Sequence, residues 1–155
     1  MIVKNKERLR TICFLLFIIY IIAIVYFLIF SDMFGRAHYD VRRYNLVPFT
    51  EIKRFIIYRG GAIENISFML NIVGNVVAFI PFGMLIRWAR NKKTNALVAL
   101  LYSLSFTLLI ETIQYITKLG VFDVDDIIMN TLGGMIGYLF YYITARIYRR
   151  KHAKE

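Results

Sequence analysis

A chain of 155 residues, 59% hydrophobic and only 19% charged, has the length of one domain but more apolar side chains than a soluble core of that size can hold. Its formal net charge of +10 does not mark a nucleic-acid binder: the Lys and Arg residues cluster at the ends of apolar runs, where membrane topology and anionic lipid heads account for them, and no nucleic-acid partner is expected. The single cysteine, Cys13, excludes an internal disulfide.

Uncharged runs long enough to cross a hydrocarbon layer of about 30 Å need roughly 20 helical residues. Four candidates follow one another along the chain. The first, 11–30, comes after the basic head KNKERLR and reads as a signal anchor. It is longer than the apolar region of a cleavable signal and ends in the bulky FLIFSDMF, so it is expected to stay attached.

The connection 31–65 is long but not featureless. Within YNLVPFTEIKRFIIYRGG, Phe49, Ile52, Phe55 and Ile56 recur at helical spacing, with Glu51, Lys53 and Arg54 on the other side. Pro48 is placed to open a short helix and Gly60-Gly61 to close it. The segment is too short and too charged to span; it is either an interfacial helix lying with its aromatic side down or a simple surface helix.

The second run, 66–86, carries Ser67, Asn71 and Asn75 at i, i+4, i+8, one stripe of a helix, and Pro81 is expected to kink its inner half. The third, 95–116, holds the only formal charge inside any of the four, Glu111, which shares a face with Gln114 and Tyr115. The fourth, 127–145, follows FDVDD and sets Asp126, Asn130, Gly133 and Gly137 on one face. The two glycines make a small-xxx-small pair, which serves either close helix packing or contact with a membrane-protein partner.

Thirteen of the 20 Lys and Arg residues fall in the head 1–10, the loop between the second and third runs, and the tail 146–155. With the richer side cytoplasmic, both termini are inside. His38 and His152 then lie on opposite sides of the membrane, excluding a metal site shared between them. DVDD lacks a regular ligand loop, and no metal or other cofactor is expected. The expected fold is all-α: an integral membrane domain over 11–145 with four transmembrane helices and a short outer interfacial helix between the first two.

At about 1.5 Å per helical residue, Asn71 and Glu111 lie roughly 8–9 Å below the outer ends of their spans, and Asn130 is expected at a similar level in the fourth. An amide left unsatisfied in hydrocarbon costs several kcal/mol, so Asn71, Asn75 and Asn130 must face protein or water. They either bond across helices or line a pocket. Asp125 or Asp126 suits the start of the fourth helix as a cap, but capping does not need three aspartates. An ionisable group within a span is expensive, and Glu111 is therefore the strongest functional candidate. Arg42 and Arg43, with Arg36 and His38 near them in sequence, lie on the same outer side, to pair with an acid or to grip an anion.

The runs RRYNLVPF (42–49), NIVGNVVAFIPFGMLI (71–86), ETIQ (111–114) and FDVDDIIMNTLGGMIGY (122–138) together resemble the VanZ-like family of bacterial membrane proteins. The resemblance covers the chain from Arg42 to Tyr138. It implies a multi-span protein of the bacterial cytoplasmic membrane in a family whose namesake is linked to teicoplanin resistance. Mapped onto this sequence, the family pattern falls on Arg43, Asn45, Pro48 and Phe49; on Asn75, Phe79, Pro81, Phe82 and Gly83; on Glu111 and Gln114; and on Asp123, Asp125, Asp126, Asn130, Gly133 and Gly137.

Three functions remain open at this point. The first is an outer-leaflet polar pocket, formed by Arg43, Asn45, Asn71, Asn75, Gln114, Asp123, Asp125 and Asn130. It would bind or handle an envelope amphiphile, a lipid-linked precursor or a lipoglycopeptide, among membrane lipids. The second is an enzyme acting on lipid head groups; no histidine accompanies the acids, so Glu111 or Asp126 would be its general base and Arg43 its anion clamp. The third is a scaffold or regulatory subunit that meets another membrane protein through Gly133 and Gly137.

Overall fold

The computed structural model describes residues 2–30, 41–57, 62–90 and 94–152. They form five helices, α1 (Ile2–Phe30), α2 (Thr50–Ile57), α3 (Ala62–Arg90), α4 (Ala96–Thr117) and α5 (Val124–His152), and two short strands, β1 (Arg43–Asn45) and β2 (Val121–Asp123). Arg36, His38 and Gly60-Gly61 lie outside the described residues, as does the side chain of Ser67.

Among the described residues, three helices are long and apolar enough to cross a membrane, by the stretches Thr11–Leu28, Ala96–Thr117 and Val124–Lys151. The second expected span is α3, a helix of 29 residues in which Asn71–Ile86 forms a shorter apolar stretch. It passes through Pro81 and stays helical to Arg90. The basic head expected before the first span belongs to α1 itself, which starts at Ile2.

Small residues decide how the helices meet. A Cβ on Gly133 would run into the carbonyl of Val76, one on Gly137 into that of Ile80, and one on Gly83 into that of Gly134. Positions advance together along the two helices, so α3 and α5 run in the same direction, with their backbones in contact. The glycine pair is thus packed against α3 of the same chain. Beside it, Phe79, Phe82, Ile86 and Ile110 join Ile24 and Leu28 of α1 in a buried apolar cluster. Phe82 and Phe106 stack with ring centroids 4.9 Å apart, and Phe17 closes on Phe82 at 5.8 Å. The Tyr20 hydroxyl donates to the Ala78 carbonyl at 2.5 Å and fixes α1 against α3.

The helix starts are chemically marked. Asn95 caps α4, its side chain accepting from the Val98 N–H at 2.8 Å, and Lys118 in the left-handed conformation (φ 61°) ends it. For α5, the sequence nominates Asp125 or Asp126 as cap. The cap is Asp123, whose Oδ1 accepts from the Asp125 N–H at 2.8 Å, while Asp125 and Asp126 occupy the first turn.

The wholly helical expectation leaves out one element. β1 and β2 pair in parallel, with Arg43, Tyr44 and Asn45 opposite Val121, Phe122 and Asp123. This ribbon ties the segment before α2 to the turn between α4 and α5. The helix expected after Pro48 is α2, and it begins one residue later than Phe49, which takes a left-handed φ of 63°.

Candidate functional site

The ribbon lies over the end of the bundle where α4 stops and α5 starts, and the polar side chains of three helices gather beneath it. Glu111, on the last turns of α4, is 1% exposed, and its Oε2 accepts from the backbone N–H of Asp123 at 2.9 Å. Asp123 in turn receives the Asn45 amide on both carboxylate oxygens, at 3.2 and 3.1 Å, across the register pair that joins the strands. Asp125, also 1% exposed, accepts from the backbone N–H of Phe49. That bond holds Phe49 in its left-handed conformation, which costs a non-glycine residue about 1–2 kcal/mol. Three carboxylates therefore each hold a backbone N–H of the ribbon or of the turn leading into α2 and α5.

One layer deeper, Asn75 of α3 donates to Asp126 Oδ1 of α5 at 2.6 Å, and Asn130 of α5 donates to Thr107 Oγ1 of α4 at 3.0 Å. Gln114 donates to the Leu28 carbonyl of α1 at 2.7 Å. All three amides are at most 1% exposed, and their oxygens, Asn75 Oδ1, Asn130 Oδ1 and Gln114 Oε1, have no hydrogen-bond donor among the described residues. Asn71 is half-buried one helical turn from Asn75. Arg43 is exposed on β1, and the Arg42 guanidinium lies over the Tyr115 ring, 5.8 Å from its centroid.

Burial pushes the Asp123 carboxyl above the ordinary carboxylate value. The hydrogen bonds from the Asp125 N–H and from Asn45 oppose that shift, neighbouring Asp125 adds to it, and Arg54 reduces it.

Glu111, Gln114, Asn75, Asp123, Asp125, Asp126, Asn130 and Asn45 are thus brought to one end of the bundle. Three participants went unrecognised in the sequence reading: Ser103, Thr107 and Thr131. Ser103 and Thr107 are fully buried, and with Glu111 they make an i, i+4, i+8 stripe on α4, the same spacing that marks Asn71 and Asn75. The hydroxyls of Ser103 and Thr131, each able to donate as well as accept, are buried without a described partner.

On the opposite side of the ribbon, a shallow groove of about 310 Å³ is lined by Tyr44, Leu46, Thr112, Tyr115 and Phe122. None of the acids contributes to it.

The family profile VanZ/LLP1 matches residues 17–145, which takes in α2, α3, α4, the ribbon, the second half of α1, most of α5 and every side chain of the buried cluster. The chain belongs to the VanZ/LLP1 family. Protein VanZ of Enterococcus faecium is 29% identical over 126 residues, covering 79% of this chain and 69% of that protein. No solved structure matches the chain. In this VanZ/LLP1 protein, NLVPF carries Asn45 and the strained Phe49, and FDVDD supplies the strand, the cap and the first turn of α5.

Proposed function

We propose that this VanZ/LLP1 protein crosses the cytoplasmic membrane four times, both termini inside, with α2 at the outer interface. In that setting it binds the polar head of an envelope amphiphile beneath the ribbon. Parallel α3 and α5 with α4 between them in sequence suit alternating spans, and the basic residues at the head, the α3–α4 loop and the tail favour this orientation.

The observation that carries the reading is the chemistry of the cluster. Three amide oxygens on three different helices, each at most 1% exposed, lack a described donor, and they accompany four carboxylates. Native proteins leave few buried acceptors unmatched, and each costs about 1–3 kcal/mol. A cluster made of acceptors selects a head rich in donors: hydroxyls, amines or amide N–H groups. Sugar- and peptide-bearing lipid precursors and lipoglycopeptides both have such heads together with an apolar tail. Asn45 and Asp123 close the ribbon over this cluster, and a head enters when it lifts.

The test uses purified full-length chain in nanodiscs with fluorescent lipid-linked wall precursor and labelled teicoplanin. Asp126→Asn and Glu111→Gln keep the shape and the acceptor oxygen while removing the charge. Loss of a charge-assisted bond to a donor is worth about 1.5–3 kcal/mol, so affinity should fall roughly ten- to a hundredfold for at least one probe. Equal affinity of wild type and both variants for every probe refutes the reading. Mass spectrometry of the same samples detects any conversion of the precursor, which would make Glu111 and Asp126 the acid–base pair.

A further inference from the structure

The two faces of the ribbon differ in chemistry. Side chains alternate along a strand, so Asn45 and Asp123 share the face turned to the acid cluster, while Tyr44 and its register partner Phe122 share the other with Arg42. On that second face lies the groove of about 310 Å³. Its walls are Tyr44, Leu46, Tyr115 and Phe122, the last two ring to ring at 82°. Its floor includes Thr112, whose hydroxyl is already spent on the Leu108 carbonyl at 2.7 Å and leaves a methyl surface. No carboxylate lines it, and the Arg42 guanidinium stands at its edge over Tyr115. One turn before Thr112 on α4, Leu108 and Leu109 are exposed.

We propose that this groove seats one acyl chain of an anionic phospholipid, with Arg42 holding the phosphate. The order of chemistry along the path is that of a lipid standing in a leaflet: a cation, then tyrosines at the level of the head groups, then aliphatic side chains. The volume suits part of a single chain rather than a whole lipid, and Arg42 sets the preference for a negative head. The inference does not depend on what occupies the acid cluster, from which the ribbon separates it.

The experiment is native mass spectrometry of the full-length chain in detergent, with phosphatidylglycerol and phosphatidylcholine of identical acyl chains. One arginine near an anionic head is worth about 1 kcal/mol, so wild type should retain phosphatidylglycerol about fivefold better. Arg42→Gln brings that preference within twofold. Thr112→Trp fills the groove from an exposed position and lowers retention of both lipids at least fivefold. Leu101→Trp, also at an exposed position of α4 but about three turns away, leaves retention as in wild type. Circular dichroism and thermal midpoints verify that all three variants fold. Equal retention of the two lipids by wild type, a preference that survives Arg42→Gln, undiminished retention in Thr112→Trp, or the same loss in Leu101→Trp each overturns the proposal. Glu111→Gln should not alter lipid retention, so failure here and failure of the head-group reading are separate results.

Discussion

Replacing Gly133 or Gly137 by alanine sets two effects of opposite sign against each other. At an exposed helical site, alanine is more favourable than glycine by about 0.8–1.0 kcal/mol. Here the added methyl has nowhere to go. Besides the carbonyl oxygen of Ile80, a Cβ at position 137 would meet the carbonyl carbon of Ile80 at 2.9 Å and the Met84 nitrogen at 3.0 Å; at 133 it would meet Val76 C at 2.9 Å and Phe79 Cβ at 3.0 Å. Comfortable carbon contacts lie at about 3.5–4.0 Å, so α3 and α5 must part by roughly half an ångström or more, and the obstacles are mainly backbone that no rotamer change removes. Overpacking of this kind costs about 1–3 kcal/mol, which exceeds the propensity gain. Each single variant should therefore be destabilised, by up to about 2 kcal/mol net, read by reversible unfolding in mixed micelles. The double variant should lose less than the total of the two, because a single separation of the helices relieves both clashes. Leu139→Ala, at an exposed position of α5, serves as the control and should stay near wild type. Stabilisation by either glycine substitution, or strict additivity in the pair, would refute this account of the α3–α5 contact.

Two further outcomes concern the acids. Glu111→Gln keeps an oxygen for the Asp123 N–H and should leave stability nearly unchanged, whereas Glu111→Leu strands that donor in a buried place and should cost about 1–3 kcal/mol by the same unfolding assay. The raised Asp123 carboxyl gives a pH signature. Since folding favours its protonated form, the contribution to stability is complete below the ordinary value of 3.8 and disappears as pH rises through the folded value. Asn caps a helix about as well as Asp, so Asp123→Asn should retain the α5 start and remove this slope, and the wild-type-minus-variant stability should decline as pH increases above 3.8. A flat difference from pH 3 to 7 would show that burial does not disfavour the charged form.

What the sequence made legible follows from period. Stripes at i, i+4 identify Asn71 with Asn75 and Asp126 with Asn130, and a lone carboxylate in an apolar run identifies Glu111. The structure brings these helices together at one end, with Asn75 on Asp126 and Asn130 on Thr107. Depth along a helix is read from residue number alone, which is why positions in separate spans can be compared before any packing is known. The ribbon was not legible for the converse reason. Three-residue strands carry too few positions for an alternation to register, and RYN pairs with VFD across 78 residues of chain only because side chains and helix ends bring them close. The roles within FDVDD were hidden too. Which of three aspartates caps a helix depends on where its first turn begins, and pairing with β1 moves that start to Val124. Thr107 and Ser103 escaped because hydroxyls in a membrane helix are ordinarily satisfied by their own backbone, as in Thr112 and Thr144.

Why carboxylates occupy this place, when amides would make the same hydrogen bonds, is the remaining physical question. An irregular connection near the hydrocarbon must have its N–H groups matched, and Glu111, Asp123 and Asp125 do this for the N–H groups of Asp123, Asp125 and Phe49. A glutamine or asparagine oxygen would accept from the same N–H groups, and although a carboxylate makes the stronger bond, three N–H groups do not by themselves call for four acids. The N-terminus of α5 explains part of them, since its dipole presents about half a positive charge to Asp123, Asp125, Asp126 and, through the Asp123 N–H, to Glu111. At Asp123, burial and the neighbouring Asp125 both act against ionisation. Arg54 offsets some of this effect, and a donor-rich head drawn under the ribbon would offset more. Neutralising Glu111 or Asp126 should accordingly weaken the head group's hold while leaving the ribbon in place, a separation that a purely structural role for these acids does not allow.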